Sequence, residues 1–153
     1  TTANSFDLDP TIGTNAVVSG TPLPVVDVQT LGGDAVSTAD LLGQPLVINI
    51  WFSTCIPCKE ELPAFAQVHQ EYGDRVRFVG LDTLPPSDSE EQFARSKGVQ
   101  YELLYDADGE FMIEAGITAW PQTLIVMPDG TIVSQHGQLT ADELRQLIES
   151  ELL

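Results

Sequence analysis

Two cysteines set two residues apart, Cys55-Ile56-Pro57-Cys58, are the residues of this chain best suited to chemistry. They are its only cysteines. An apolar run, Leu46 to Phe52, leads into them, and a helical pattern leads away. The pair therefore falls where a buried strand turns into a helix. The free N–H groups and the dipole of a helix start favour negative charge. A thiol placed there ionises more readily, and the thiolate is the reactive species. The second cysteine, one turn on, is close enough to close a short disulfide. That is the layout of a dithiol/disulfide exchanger. Two other uses weigh less. A zinc site needs four ligands at recognisable spacing, yet there is no second cysteine pair, and His69 and His136 show no paired spacing. A structural staple gains by closing a long loop, and this spacing closes almost none.

The flanking elements follow from periodicity and turn residues. Leu23 to Thr30 reads as a strand, Leu31 to Asp34 as a turn, and Ala35-Val36 as a returning strand. Ser37 to Leu42 reads as a short capped helical turn, broken by Gly43-Gln44-Pro45. Leu46 to Phe52 is expected to be a central strand covered on both faces, interrupted by one amide, Asn49. A buried amide must be hydrogen-bonded. Asn49 points either into the core or toward the cysteines.

A helix follows to about Tyr72, with Leu62, Phe65, Ala66, His69 and Tyr72 on one face, and Pro63 is expected to kink it. Val76 to Leu81 is the next strand. Ser87-Asp88-Ser89-Glu90 has capping-box spacing for a helix that ends at Gly98. Glu102 to Tyr105 is a strand, and Asp106 to Gly109 a turn that lacks the remaining ligands of a calcium loop. Glu110 to Ala115 is a short helix. Thr123 to Met127 and Thr131 to His136 make a hairpin around Pro128-Asp129-Gly130. Thr140 to Glu143, a second capping box, opens the last helix, with Leu144, Leu147, Ile148 and Leu152 facing inward. This order gives an α/β domain: a mixed sheet with helices on both faces, three layers deep.

At 153 residues and 42% hydrophobic content the chain suits one globular domain with a real core. No apolar run reaches the length of a membrane span. Residues 1–20 are polar and read as a linker left after removal of a signal or membrane anchor, with the domain proper at 21–153. Twenty-three acids against six Lys and Arg give a formal charge of −17. Nucleic acid is a poor partner for such a surface, and anionic membranes are disfavoured. The acids chiefly solvate the surface, and they oppose thiolate formation at long range.

On these residues the chain resembles the thioredoxin superfamily, and within it the extracytoplasmic TlpA/ResA-like thiol–disulfide oxidoreductases, which include the CcmG/DsbE group. The family core reads roughly V-x-N-F-W-A-x-W-C-x-P-C-x-x-E-x-P. Val47, Asn49, Trp51, Cys55, Pro57, Cys58, Glu61 and Pro63 fall in register with it. Asn49 stands where thioredoxin has a buried Asp. The segment from Ser87 to Tyr105 is similar to the inserted helix and strand of that branch. Trp120-Pro121-Gln122-Thr123 is similar to its cis-proline loop. Thr54 departs from the usual Trp, and Trp120 from the usual small residue; the two departures are expected to compensate, the indole being supplied from the other side.

The resemblance implies a thioredoxin-like fold and a role for each residue. Cys55 is the nucleophile and Cys58 the resolving thiol. Glu61 and Asn49 tune thiol pKa values, although Glu61 also reads as a solvent-facing acid of the first helical turn. Trp120, Pro121 (cis), Ile56 and Pro57 form the substrate-binding surface. No metal and no cofactor beyond the disulfide is expected. The implied setting is bacterial and extracytoplasmic, in the periplasm or cell envelope. The implied partners are exported proteins with disulfides or thiols, and a membrane thiol reductase of the CcdA/DsbD type; a monomer is expected.

Ile56-Pro57 lacks polar or basic groups that would give a very low thiolate pKa, which favours a reductant, with apocytochrome c as a substrate implied by the resemblance. An oxidase of exported thiols is the alternative. A peroxiredoxin would need Pro and Thr where Ile48 and Phe52 stand. A Sco-like copper chaperone would need Cys-x-x-x-Cys, one residue wider than this pair, and a distal His, for which His136 is a nominal candidate.

Overall fold

The structure, a computed structural model, describes residues 15–153. Seven strands form one sheet in the order β2-β1-β5-β4-β3-β6-β7. They are β1 (Asp27–Gln29), β2 (Ala35–Ser37), β3 (Leu46–Trp51), β4 (Arg77–Asp82), β5 (Glu102–Tyr105), β6 (Gln122–Val126) and β7 (Ile132–His136). The helices are α1 (Ile56–Tyr72), α2 (Asp88–Ser96), α3 (Glu110–Ala115) and α4 (Ala141–Leu147). Strands β3, β4 and β5 are parallel, while β6 runs antiparallel to both β3 and β7. The α/β sandwich expected from the element order is the one observed.

Period-two alternation in β3 sorts its side chains to two cores. Val47 and Trp51 join one cluster with Leu62 and Phe65 of α1, Ala94 of α2, Leu144 of α4 and Ile148 just beyond it. Leu46, Ile48 and Ile50 join the other, with Phe111 and Ala115 of α3 and Leu41 of a short 3-10 turn. All six residues of β3 are buried. Asn49 shares the phase of Val47 and Trp51, which aims its amide at α1.

Close packing is visible beside it at Gly80, which pairs with Asn49 across the β3–β4 ladder. A Cβ there would meet Leu103 Cδ2 at 2.8 Å, Tyr101 Cε1 at 3.1 Å and Trp51 Nε1 at 3.2 Å. Gly80→Ala is expected to cost about 1–3 kcal/mol of stability by overpacking, read from denaturant unfolding.

Two details differ from the pattern-based expectation. The strand expected over 23–30 shortens to β1, because Pro24 has no N–H and Thr38 Oγ takes the local bonds. That hydroxyl accepts from Val26 N at 3.0 Å and donates to Pro24 O at 2.7 Å. Residues 20–23 pair elsewhere, beside the β6–β7 turn, through Leu23 N to Gly130 O and Ile132 N to Thr21 O. Helix α1 does span its expected length, through Pro63 to Tyr72. The last helix ends in a π-helical turn, Ile148–Leu152, which buries Ile148 and Leu152.

Of the linker expected over 1–20, residues 1–14 lie outside the described residues. Residues 15–20 are seated on the domain. Asn15 is buried; its Oδ1 accepts from Thr118 N and Ala119 N, and its Nδ2 donates to Ala119 O at 3.1 Å. The buried Gln135 side chain holds the next residues, accepting from Val18 N and donating to Ala16 O.

Candidate active site

Cys55 is the N-cap of α1, with extended backbone (φ −83°, ψ 111°), and its Sγ accepts from Cys58 N at 3.3 Å. A sulfur in this position takes the place of the usual oxygen cap and sits on the free N–H groups of the helix start. Pro57 falls in the first turn, where its missing N–H costs nothing. Cys55 and Cys58 form a disulfide with Cα atoms 5.2 Å apart. The two sulfurs differ in access: Cys55 is 7% exposed and Cys58 is 0%. Ile56, between them, is 66% exposed and Thr54 is exposed.

Beneath the pair lies a buried carboxyl. Glu61 is one turn beyond Cys58 and only 1% exposed, so the solvent-facing reading of this acid does not hold. Its Oε1 accepts from Asn49 Nδ2 at 2.8 Å and its Oε2 from Leu139 N at 2.8 Å. Burial pushes its pKa up to about 7, against the opposing pull of the Leu139 and Asn49 donors. Asn49 is thus both a core amide and a partner of the acid, while its Oδ1 meets no donor among the described residues.

The Trp120–Pro121 peptide is cis. The Trp120 ring packs edge-on against Phe52, centroids 5.5 Å apart at 83°. Trp120 and Phe52 both lean on the cluster that contains Cys55 and Cys58. Asn15 holds the backbone of Thr118 and Ala119, whereas the Trp120 N–H and C=O bond to nothing among the described residues. Their edge is therefore available to an extended chain.

Two acids escaped the sequence reading. Asp82 ends β4 fully buried, and Glu90 on α2 is 6% exposed. They lie close enough to shift each other's pKa, and Glu90 Oε1 accepts from Ser53 N, in the loop ahead of Cys55, at 3.1 Å. Lys59, next to Cys58, has its ammonium 5.9 Å from the centroid of the Phe93 ring. Among the described residues no group of three or more His, Cys, Asp or Glu is placed to hold a metal ion.

A seven-stranded mixed sheet flanked by helices, with a Cys-x-x-Cys disulfide capping the first long helix, defines a thioredoxin-fold thiol–disulfide oxidoreductase. Residues 19–135 match the AhpC/TSA family, and the chain belongs to it. It is similar to the thioredoxin-like protein YneN of Bacillus subtilis, 28% identical over 137 residues that cover 87% of this chain and 80% of that one. The thiol-disulfide oxidoreductase ResA of Bacillus subtilis is 24% identical over 122 residues, 79% of this chain and 68% of its own. Among solved structures it resembles a secreted Mycobacterium tuberculosis disulfide oxidoreductase homologous to E. coli DsbE. That match has TM-score 0.73 and 26% identity, covering 82% of this chain and 95% of the other.

Proposed function

We propose that this protein reduces disulfides in exported bacterial proteins, apocytochrome c being one fitting substrate, with Cys55 as the attacking thiol. The observation that carries the direction is the character of the surroundings. The pair sits among Phe52, Ile56, Pro57 and Trp120, above a buried Glu61, with the adjacent Lys59 turned to an aromatic ring. Apolar and acidic surroundings disfavour a thiolate. A strong oxidant instead needs its reduced form stabilised by a very low thiolate pKa.

In the reductive direction the Cys55 thiolate attacks one sulfur of the partner disulfide. The other partner sulfur leaves as a thiolate and takes up a proton. The Cys58 thiol gives its proton to a base, for which Glu61 is well placed. It then attacks Cys55 Sγ and expels the second partner thiolate. Two electrons and two protons pass to the partner, and the protein is left as the Cys55–Cys58 disulfide. The substrate chain lies along the free edge of Trp120 beside Pro121, with Ile56 and Pro57 on its other side. Electrons are carried by the sulfur pair alone, with no further cofactor. An external dithiol, such as a membrane thiol reductase of the CcdA/DsbD type, recharges it.

An extracytoplasmic site and a monomeric state complete the reading. The location is supported by the secreted relative, and among the described residues no helix is long and apolar enough to cross a membrane.

Equilibration with glutathione or dithiothreitol buffers tests the direction. A reduction potential near or below about −250 mV, in the range of thioredoxin, is expected. A value near about −120 mV would make the protein an oxidase of exported thiols.

A further inference from the structure

Helix α2 is set firmly over the ends of the parallel strands. Phe93 stacks on Trp51, with centroids 6.2 Å apart at 19°, and Ala94 is buried. Arg95 donates to Val99 O at 3.1 Å and to Tyr101 O at 2.8 Å. Glu91 accepts from Tyr105 OH on β5 at 2.7 Å. So held, the helix sends the Glu90 carboxylate toward the loop that joins β3 to Cys55. That loop has few other ties. Thr83 N donates to Trp51 O at 3.1 Å, and Cys55 N closes the turn onto Phe52 O at 3.2 Å. Ser53 N–H, inside the turn, goes to Glu90.

Behind Glu90 stands Asp82. Its Oδ1 accepts from Leu84 N at 2.7 Å, while its Oδ2 is buried and meets no N–H donor. Glu90 is the acid close enough to raise its pKa. Two carboxyl groups bond only when one carries a proton. Burial, then the bond to Glu90, pushes the Asp82 pKa up to about 9. For Glu90, burial alone would raise the pKa, but the bonds from Asp82 and Ser53 outweigh it and pull it below the ordinary value. Asp82 is therefore the acid that donates, and Glu90 the anion that holds the loop.

We propose that Glu90 and Asp82 are positioning residues for the Cys55–Cys58 reaction, Glu90 by fixing the turn ahead of Cys55 through Ser53 N–H, and Asp82 by holding Glu90. Neither touches a reacting sulfur. Both consequences of the arrangement favour the disulfide. The fixed turn preserves the position of Cys55 over Cys58 that the oxidised form requires. The fixed negative charge, bonded to the amide of Ser53 two residues before Cys55, opposes the thiolate of the reduced form. This rests on the reading of the cysteine pair as the redox centre.

The test compares Glu90→Ala, Asp82→Ala and Asp82→Asn in the otherwise intact protein. Two quantities are read: the redox equilibrium constant against glutathione, and denaturant stability in each oxidation state. Glu90→Ala is expected to shift the equilibrium toward the dithiol by about tenfold, the size of one charge-assisted hydrogen bond, or about 30 mV. Asp82→Ala should shift it in the same sense. Asp82→Asn should restore it, since the amide still donates to Glu90 and its oxygen still accepts from Leu84 N. Should Glu90→Ala fail to fold, Glu90→Gln keeps an oxygen for Ser53 and loses the charge, and a smaller shift in the same sense is expected. Equal loss of stability in both oxidation states, with the equilibrium unmoved, overturns the proposal. So does an Asp82→Asn protein no closer to the parent than Asp82→Ala. A pair that does not cycle in the parent protein refutes the redox reading itself.

Discussion

Cys58→Ser is expected to arrest the reaction at its midpoint, and Cys55→Ser to prevent it from starting. The asymmetry follows from access: Cys55 keeps a small exposed surface, whereas Cys58 has none. Treated with glutathione disulfide, the reduced Cys58→Ser protein should gain one glutathione at Cys55 and keep it. The parent should expel it and close its own disulfide. Attack from within the same turn replaces a bimolecular step, and such proximity is worth orders of magnitude. Release in Cys58→Ser should slow by at least about a thousandfold on that basis. Intact mass spectrometry reads the adduct directly. Cys55→Ser should gain none, and a glutathione on its Cys58 would reverse the assignment of the two sulfurs.

Glu61→Gln is expected to change how stability depends on pH. The Glu61 pKa is raised by burial from 4.5 to about 7, despite two donors that favour the anion. Between these values the folded chain holds a proton that the unfolded chain has lost. Stability linked to this residue is therefore whole below pH 4.5 and falls as the pH rises to about 7. The loss amounts to about 3 kcal/mol, from roughly 2.5 pH units at about 1.4 kcal/mol each. A glutamine stays neutral throughout. Its oxygen still accepts from Leu139 N, and Asn49, turned over, offers its unpartnered Oδ1 to the new amide. Urea unfolding of the oxidised proteins should find parent and variant alike near pH 4.5 and the variant ahead by about 3 kcal/mol above pH 8. Parallel curves would mean that Glu61 titrates in the fold as it does in the unfolded chain.

The two capping boxes show where sequence reading succeeds and where it stops. Thr140 and Glu143 bond each other's backbone as their spacing implies, because every group involved lies within one turn. At Ser87 only half of that pattern forms. Ser87 Oγ accepts from Glu90 N, but the Glu90 side chain crosses to Ser53, 37 residues away in the chain. Local spacing carries no information about a competitor that only the fold brings near. Asp82 was hidden for a related reason: an acid closing an apolar strand reads as the exposed end of that strand, and only the placement of α2 encloses it.

The cysteine pair, the strand before it and the sheet class were legible because each is written in contiguous residues. Glu61 and Asn49 could be singled out by type and register. Their mutual bond depends on β3 and α1 meeting face to face. Asn15 carried no signal, since a polar residue ahead of a domain looks like linker until the chain that it grips is known, and Gln135 read only as one polar position of β7.

The grip of Asn15 gives the chain a mechanical side. Its carboxamide holds the two residues ahead of the cis peptide by three hydrogen bonds. Tension arriving along the backbone from ahead of Asn15 is thus delivered to Thr118 and Ala119, one residue from the edge offered to a substrate. The sheet, joined to this segment through Gln135 and the β6–β7 turn, takes up only the load that passes beyond. A pull on Asn15 is felt at the mouth of the molecule before it reaches the sheet.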